Sequence, residues 1–129
     1  MAVWDAIVVG MGGLGTVLTH DLAQRGLKVM GIDRYAPGHD RGSSHGATRV
    51  IRQAYFEHPD YVPLLRRAYE RWSDLESGRS DPLYMPVGVL EIGPADGIVV
   101  PGVLQAAAAH QLRVEALDAH QLARRFPEF

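Results

Sequence analysis

The sequence contains no cysteine among its 129 residues, so it offers no disulfide framework, no thiolate metal site and no cysteine nucleophile. It also has no basic excess, because 13 Lys+Arg stand against 15 Asp+Glu and give a formal net charge of -2. Without a basic surface, nucleic-acid binding is not expected. No apolar run approaches the ~20 residues that cross a bilayer, so we expect no membrane partner.

The opening residues 1–5 carry no Lys or Arg, and therefore do not resemble a secretion signal. We expect a cytoplasmic protein. The composition, 47% hydrophobic and 22% charged, is typical of a folded globular domain. Most of the six histidines have no ligand spacing with carboxylates and are interpreted as surface or packing residues, so no metal site is predicted.

The amino-terminal part follows the pattern of a strand, a glycine turn, a helix and a second strand. An apolar run at residues 6–9 is typical of a strand buried on both faces of a parallel sheet. The glycines at 10, 12 and 15 form a GxGxxG motif, and apolar residues at helical spacing predict a helix over 16–25. Gly26 marks its end, and a second apolar run at 27–32 leads to Asp33. This pattern predicts an α/β fold that starts with a Rossmann-like β-α-β unit.

Each part of this unit has a chemical reason in a dinucleotide site. The first glycine permits a sharp turn, the second lets the backbone approach a pyrophosphate, and the third lets helix and strand pack closely. Asp33, 23 positions after Gly10, can accept hydrogen bonds from both ribose hydroxyls. Arg34 beside it would favour a 2′-phosphate on the ribose, but the acidic residue at the strand end is the stronger indication and favours a free 2′-hydroxyl. The motif alone does not separate NAD from FAD.

A loop over residues 34–46 follows and leads into a segment with two arginines. We predict a short helical turn that carries His45, Thr48, Arg49 and Arg52. At a spacing of three, the two arginines would share one helix face. The repulsion between two neighbouring positive charges must be compensated by solvent, by bound anions or by acidic partners, for which Glu57 and Asp60 are candidates.

Five stretches carry a family resemblance: VVGMGGLG, the strand ending at Asp33, GSSHGATRVIRQAY, YVPLLRRAYERW and GVLEIGP. Through them, nearly the whole chain resembles the monomeric sarcosine oxidase and N-methyltryptophan oxidase family of flavoproteins. The resemblance implies FAD as cofactor and a secondary amine, in particular an N-methyl amino acid, as substrate. In that family a hydride passes from the N-methyl carbon to the flavin, the imine hydrolyses, and oxygen reoxidises the flavin to give hydrogen peroxide.

The resemblance also implies roles for single residues. The cofactor-binding positions are Gly10, Gly12, Gly13, Leu14, Gly15, Asp33, Arg34, Ser43, Ser44 and Thr48. His45 and Arg49 match catalytic positions beside the flavin ring, where a cation stabilises negative charge. Arg52 matches the residue that pairs with the substrate carboxylate.

Some positions keep an alternative or depart from the pattern. His45 can equally be a polar loop residue, and the two arginines can be ion-pair partners. Ser44 stands where some relatives have His, and Ala47 stands where some have an acidic residue, which leaves the local charge balance open.

The rest of the chain is interpreted as scaffold. We predict a helix that follows Asp60 and runs to about residue 73 with its apolar side in the core. We also predict a strand over 85–93, a helix over 97–110, a strand over 113–117 and a helix over 119–125 capped by Asp118. The whole range 1–129 is interpreted as the amino-terminal part of an FAD-binding domain. Within it, residues 1–58 form the dinucleotide-binding unit and flavin loop, and residues 59–129 lead towards a substrate domain.

Members of the family are several-fold longer, so we expect an amino-terminal fragment that is inactive by itself. It would need further chain, or a partner chain, to complete its sheet. Two alternatives stay open: another FAD-dependent amino-acid dehydrogenase that passes electrons to a carrier, and a non-catalytic dinucleotide-binding remnant.

Overall fold

The computed structural model describes residues 3–129. Met1 and Ala2 lie outside the described residues. They are the first residues of the opening segment, in which no secretion signal is predicted, and of the predicted range 1–58. The elements in chain order are β1 (Ala6–Val9), α1 (Gly13–Gln24), β2 (Val29–Ile32), α2 (Tyr61–Glu76), α3 (Val99–His110) and α4 (Ala119–Arg125). The structure is thus a mixed helix–strand fold with a small parallel sheet, in line with the predicted α/β class.

The two strands pair in parallel, with Ala6 opposite Val29 and Val9 opposite Ile32. The predicted bounds of β1 are confirmed, and β2 begins two residues later than its apolar run. The prediction that β1 is buried on both faces is wrong. Val8 is buried, whereas Ile7 and Val9 are exposed, because side chains alternate along a strand and α1 packs on the face that Val8 occupies.

The first helix starts at Gly13, three residues before the predicted start, and ends at Gln24. Gly26 follows in a left-handed conformation, with a φ of +84° that favours glycine. Its N–H donates to the carbonyl of Ala23 at 2.9 Å, so the predicted helix stop is confirmed.

The chain divides into two compact units. The first unit ends at Arg49, and the second unit comprises Val50–Phe129. The first contains β1, α1, β2 and the loop that follows β2. The second contains the other three helices and the segments that join them.

In the second unit, α2 buries a narrower apolar side than its sequence predicts. Val62 is completely buried, but Tyr61, Leu64 and Trp72 of the predicted stripe are exposed. Tyr69 of the same stripe is half-buried, and its hydroxyl donates to the carbonyl of Ile51 at 3.1 Å. The helix therefore contacts the segment that begins at residue 50 through the side that Val62 and Tyr69 share.

Two predicted strands, 85–93 and 113–117, do not form. In the described part of the chain neither segment has a strand partner, and an unpaired segment gains no ladder hydrogen bonds. The two helices that follow are as expected in type. The bounds and cap of α4 are confirmed: Asp118 accepts from the N–H of Gln121 at 2.7 Å, and Gln121 accepts from the N–H of Asp118 at 2.9 Å.

Candidate functional site

The glycine turn (residues 10–15) joins the end of β1 to the start of α1 and is fixed by backbone contacts. Gly10 has a φ of +95°, and its N–H donates to the carbonyl of Ile32 at 2.7 Å. A Cβ added at Gly15 would lie only 1.7 Å from the carbonyl oxygen of Gly10. A Cβ at Gly12 would meet nothing closer than Oγ of Ser44 at 3.9 Å. Position 15 therefore requires glycine for packing within the protein, whereas position 12 faces open space.

The start of α1 presents backbone N–H groups with little competition from side chains. Gly12 is the N-cap and makes no side-chain cap, and the first turn holds no acidic residue. The N–H of Gly13 donates to Oγ of Ser44 at 2.9 Å. Leu14, the next residue, is 91% exposed. An N-terminus of this kind attracts anions through its N–H groups and the helix dipole.

Asp33 joins the end of β2 to the glycine turn. One carboxylate oxygen accepts from the N–H of Met11 at 2.5 Å, and the other accepts from the N–H of Tyr35 at 3.0 Å. These backbone donors, first Tyr35 and then Met11, hold the pKa of Asp33 below its ordinary value of 3.8, and His39 acts in the same direction. Arg34 is exposed, with Cζ 5.7 Å from the ring centroid of Tyr35.

His39, which the sequence places only among surface or packing residues, lies beside this carboxylate. Its Nδ1 accepts from the N–H of Arg41 at 3.0 Å, so the neutral ring carries its hydrogen on Nε2. That Nε2 lies 3.6 Å from Oδ1 of Asp33, and the ring also packs edge-on against Tyr35 at 5.1 Å between centroids. In the sequence, the signal that could have indicated this contact was a histidine six residues after Asp33, the acidic residue at the end of β2.

The segment that carries His45, Thr48 and Arg49 is an exposed loop, so the predicted helical turn is wrong. The guanidinium of Arg49 donates to the carbonyls of Thr48 at 2.6 Å and Ser43 at 2.9 Å. It lies so close to Gly46, whose φ is +143°, that a Cβ there would be 2.3 Å from Nη1. The side chain thus folds the loop around itself and draws carbonyls away from helical hydrogen bonds.

The structure brings Ser44 to the glycine turn through its contact with Gly13. The backbone N–H of His45 donates to the carbonyl of Gly42 at 3.1 Å, and its side chain is exposed. Arg49 and Arg52 do not share a helix face, because the structure forms no helix over residues 45–52.

The Arg52 cluster (Arg52, Tyr55, Phe56, Glu57 and Glu91) lies within the second unit. Nη2 of Arg52 is 3.2 Å from Oε1 of Glu57, and Nη1 is 3.2 Å from Oε1 of Glu91. Cζ lies 4.5 Å from the ring centroid of Tyr55 and 5.3 Å from that of Phe56. The interpretation of Arg52 as an ion-pair partner of Glu57 is confirmed, and Glu91 was missed.

The exposure of the three charged side chains differs. The exposed fraction is 28% for Arg52, 42% for Glu57 and 13% for Glu91. Nε of Arg52 is buried and has no hydrogen-bond partner among the described residues. Glu91 stands in the apolar segment Val89-Leu90-Glu91-Ile92, where an acidic residue indicates a cationic partner elsewhere in the fold.

Residues 3–129 contain no group of three His, Asp or Glu side chains placed to hold a metal ion. Across the same residues, none of the helices has the length and apolar character needed to span a membrane.

Comparison with known proteins gives a family match over almost the whole chain. The family described as FAD dependent oxidoreductase (DAO) matches residues 5–129. The chain is 43% identical to a monomeric sarcosine oxidase of Streptomyces avermitilis over 124 residues, which are 96% of this chain and 32% of that protein. It is 41% identical to N-methyl-L-tryptophan oxidases of Salmonella arizonae and Citrobacter koseri over 125 residues, which are 97% of this chain and 34% of each relative.

These matches confirm the resemblance that the sequence motifs indicate. The chain spans about a third of the length of the curated relatives it matches.

Proposed function

The chain belongs to the family of FAD dependent oxidoreductases, and on that premise we propose that its first unit binds FAD for the oxidation of a secondary amine. We propose that β1, α1 and β2 form the Rossmann-like unit that holds the adenosine and pyrophosphate of FAD. The relatives are named for the oxidation of sarcosine and N-methyl-L-tryptophan, both N-methyl amino acids, and this is the substrate class we propose first.

The observation that carries this proposal is the difference between two glycines of the turn. Position 15 is closed, because a Cβ there would strike the Gly10 carbonyl at 1.7 Å. Position 12 is open: among residues 3–129, apart from its own chain neighbours, only Ser44 Oγ lies within 4 Å of an added Cβ. Close packing of the protein explains the glycine at position 15 but not the glycine at position 12. The open backbone at Gly12, beside the start of α1, fits a pyrophosphate.

Asp33 has the acceptor capacity that a ribose needs. A carboxylate offers about four lone-pair sites, and the N–H groups of Met11 and Tyr35 use one on each oxygen. Nε2 of His39 lies 3.6 Å from the oxygen that Tyr35 contacts, so the oxygen that accepts from Met11 is the more open acceptor for a ribose hydroxyl. Because its pKa lies below the ordinary value, Asp33 is ionised, and therefore an acceptor, at neutral pH, as an ordinary aspartate also is.

The loop after β2 would continue along the cofactor. Ser43, Ser44 and Thr48 would lie along it, with Ser44 already bonded to the turn at Gly13. We propose that Arg49 and His45 supply positive charge and hydrogen-bond donors near the flavin ring, where charge develops on reduction. Arg49 is held for this role by the carbonyls of Ser43 and Thr48.

When bound, FAD would supply the redox chemistry, namely acceptance of a hydride from the N-methyl carbon of the amine, which leaves an imine, and transfer of the two electrons to oxygen to give hydrogen peroxide. The chain's own contribution to the substrate would come from Arg52. A guanidinium suits a substrate carboxylate, but both terminal nitrogens of Arg52 already contact glutamates, so a carboxylate ligand would have to compete with them.

We also propose that further polypeptide completes the sheet. The described residues supply only two strands, and Ile7 and Val9 leave an apolar face exposed. Parallel sheets are stable when both faces are covered.

A titration of the chain with FAD, followed by flavin fluorescence, tests the cofactor proposal. Gly12→Val should abolish binding, because its side chain enters the space proposed for the pyrophosphate, while its Cβ lies 3.9 Å from Ser44 Oγ, an ordinary contact. Gly93→Val is the matched control, since a Cβ at Gly93 makes only ordinary contacts, the nearest at 3.6 Å. Equal FAD affinity in the Gly12→Val variant and the unchanged chain would refute the pyrophosphate assignment.

A further inference from the structure

His39 connects the acidic residue at the end of β2 to the loop that carries Ser44. Its Nε2 lies 3.6 Å from Oδ1 of Asp33, and its Nδ1 accepts from the N–H of Arg41 at 3.0 Å. The ring packs edge-on against Tyr35, and only 19% of the side chain is exposed. Both ring nitrogens are therefore in use beside the proposed adenosine site.

The contacts of this histidine close a circuit that begins and ends at the glycine turn. On one side of Gly12, the N–H of Met11 donates to the carboxylate of Asp33. On the other side, the N–H of Gly13 donates to Oγ of Ser44 at 2.9 Å. The histidine is the link between this carboxylate and the loop of Ser44, so it fixes the two structures that contact the turn on either side of its open position.

Only the neutral form of His39 can make both contacts. A neutral imidazole has one donor and one acceptor nitrogen, and Nδ1 is the acceptor here because it receives the N–H of Arg41. In the imidazolium both nitrogens carry hydrogen, so the loop loses this bond. The positive charge would also attract the carboxylate of Asp33 and compete with a ribose for it. The neutral form is therefore the one that favours a bound cofactor.

The charges around His39 are few and differ in exposure. The titratable groups that face it are Asp33 from the end of β2 and Tyr35 from the loop. Asp40 and Arg41, its neighbours along the loop, pair with each other at 3.1 Å and are exposed, so solvent screens both charges. The side chain of Asp33 is only 16% exposed, and it is therefore the charge that acts on the histidine most strongly.

Asp33 itself keeps its charge while a histidine titrates. The N–H groups of Tyr35 and then Met11 hold its pKa below the ordinary value, so the carboxylate stays ionised across the range in which histidines titrate. A change in cofactor binding over that range would not come from Asp33.

We propose that His39 is a positioning residue of the cofactor site, which in its neutral form holds Asp33 and the loop of Ser44 in place for FAD and weakens FAD binding when it is protonated. This rests on the proposed binding of FAD by the first unit. It goes further, because it assigns a role to a residue outside the glycine motif and predicts that FAD affinity falls on acidification.

The experiment measures FAD affinity by equilibrium dialysis at intervals between pH 8 and pH 5, the range in which histidines commonly change charge. The pyrophosphate of FAD keeps its charge over this range, so the ligand does not contribute a titration of its own. The unchanged chain should bind FAD about fivefold more weakly at the acidic end, which corresponds to the loss of one hydrogen bond.

His39→Asn separates the positioning role from a purely local one. The side-chain oxygen of asparagine can replace Nδ1 and accept from the N–H of Arg41, as in an Asx-turn, but it is too short to reach Asp33 and does not titrate. The variant should bind FAD more weakly than the unchanged chain at the alkaline end and should lack its loss of affinity on acidification. Both chains retain His45, so any contribution of that residue cancels in the comparison.

His58→Asn is the matched control. Nδ1 of His58 accepts from the N–H of Asp60 at 3.2 Å, the same contact two residues along the chain, but in the second unit. This variant should behave as the unchanged chain at every pH. If His39→Asn fails to fold, His39→Gln, whose longer amide can donate to Asp33 and does not titrate, should likewise lack the loss of affinity on acidification.

Equal FAD affinities of the unchanged chain and His39→Asn at both ends of the range would overturn the proposal. Tighter FAD binding by the unchanged chain at the acidic end, absent in His39→Asn, would overturn it as well. Either result would show that the imidazole does not hold the site through its neutral form.

A readout without flavin separates this proposal from the cofactor proposal. In amide NMR spectra of the unchanged chain, the resonances of Arg41 and Gly13 should shift together as the ring of His39 is protonated, and in His39→Asn they should not. The joint shift without FAD binding would refute the cofactor proposal alone. FAD binding without the joint shift would refute the role of His39 alone, and the absence of both would refute both.

Discussion

The glycine turn provides a quantitative prediction for Gly15→Ala. The added Cβ would lie 1.7 Å from the carbonyl oxygen and 2.9 Å from the carbonyl carbon of Gly10, and 3.5 Å from a methyl group of Val8. The first two atoms are backbone and cannot move aside as a flexible side chain can. Because the clash is with backbone atoms at such short distances, we take the upper end of the usual overpacking cost, about 3 kcal/mol, from which alanine recovers about 1 kcal/mol of helix propensity. We expect a net loss of about 2 kcal/mol.

Urea unfolding followed by circular dichroism measures this loss. With a typical slope of about 2 kcal/mol per molar for a small protein, the midpoint should fall by roughly 1 M. Gly12→Ala is the matched control within the same turn, since its Cβ would meet only Ser44 Oγ at 3.9 Å. If the two variants unfold at the same urea concentration, the close packing of helix and turn at Gly15 is not what stabilises this unit.

Two further predictions concern Asp33 and the cap of α4. The pKa of Asp33 in the folded chain lies below 3.8, so the stability that its carboxylate confers is complete above that pH and is lost as the pH falls through the lowered pKa. The urea midpoints of the unchanged chain and of Asp33→Asn should therefore differ at neutral pH and converge well below pH 3.8. A constant difference across that range would contradict the bonds from Tyr35 and Met11. Asp118→Ala removes the capping box and should destabilise α4 by about 1 kcal/mol. This loss corresponds to roughly fivefold faster amide hydrogen exchange in that helix. Unchanged exchange would show that the cap is dispensable.

The parts of the fold that local chemistry specifies were predictable from sequence. Strand β1 is a β-branched run ended by glycine, and its bounds follow from those residues alone. Helix α4 begins after Asp118, whose reciprocal bonds with Gln121 depend only on residues three apart. Gly26 ends α1 for an equally local reason.

The predictions that were wrong depend on contacts that the spacing of residue types does not reveal. Residues 85–93 have strand-like alternation, but a strand exists only when another segment supplies its hydrogen bonds. The helical turn predicted around His45 failed because the Arg49 side chain bonds the carbonyls of Ser43 and Thr48, a competition that helix spacing does not reveal.

The candidate site shows the same division. The glycines and Asp33 follow from a motif with fixed spacing, whereas the contact between Gly13 and Ser44 becomes visible only in the structure. Glu91 lies 39 residues from Arg52, and only the fold shows which cation it contacts. An acidic residue inside an apolar segment indicated that it had a partner, without indicating which one.

The most direct test of the proposed cofactor site is competition between FAD and its two halves. ADP contains the ribose and pyrophosphate that the glycine turn and Asp33 would hold, whereas FMN contains the flavin end. With retention of FAD radiolabelled in its adenine ring as the readout, ADP should displace FAD competitively and FMN at the same concentration should not. Displacement by FMN but not by ADP would place the contacts at the flavin end and contradict the role of Gly12 and Asp33.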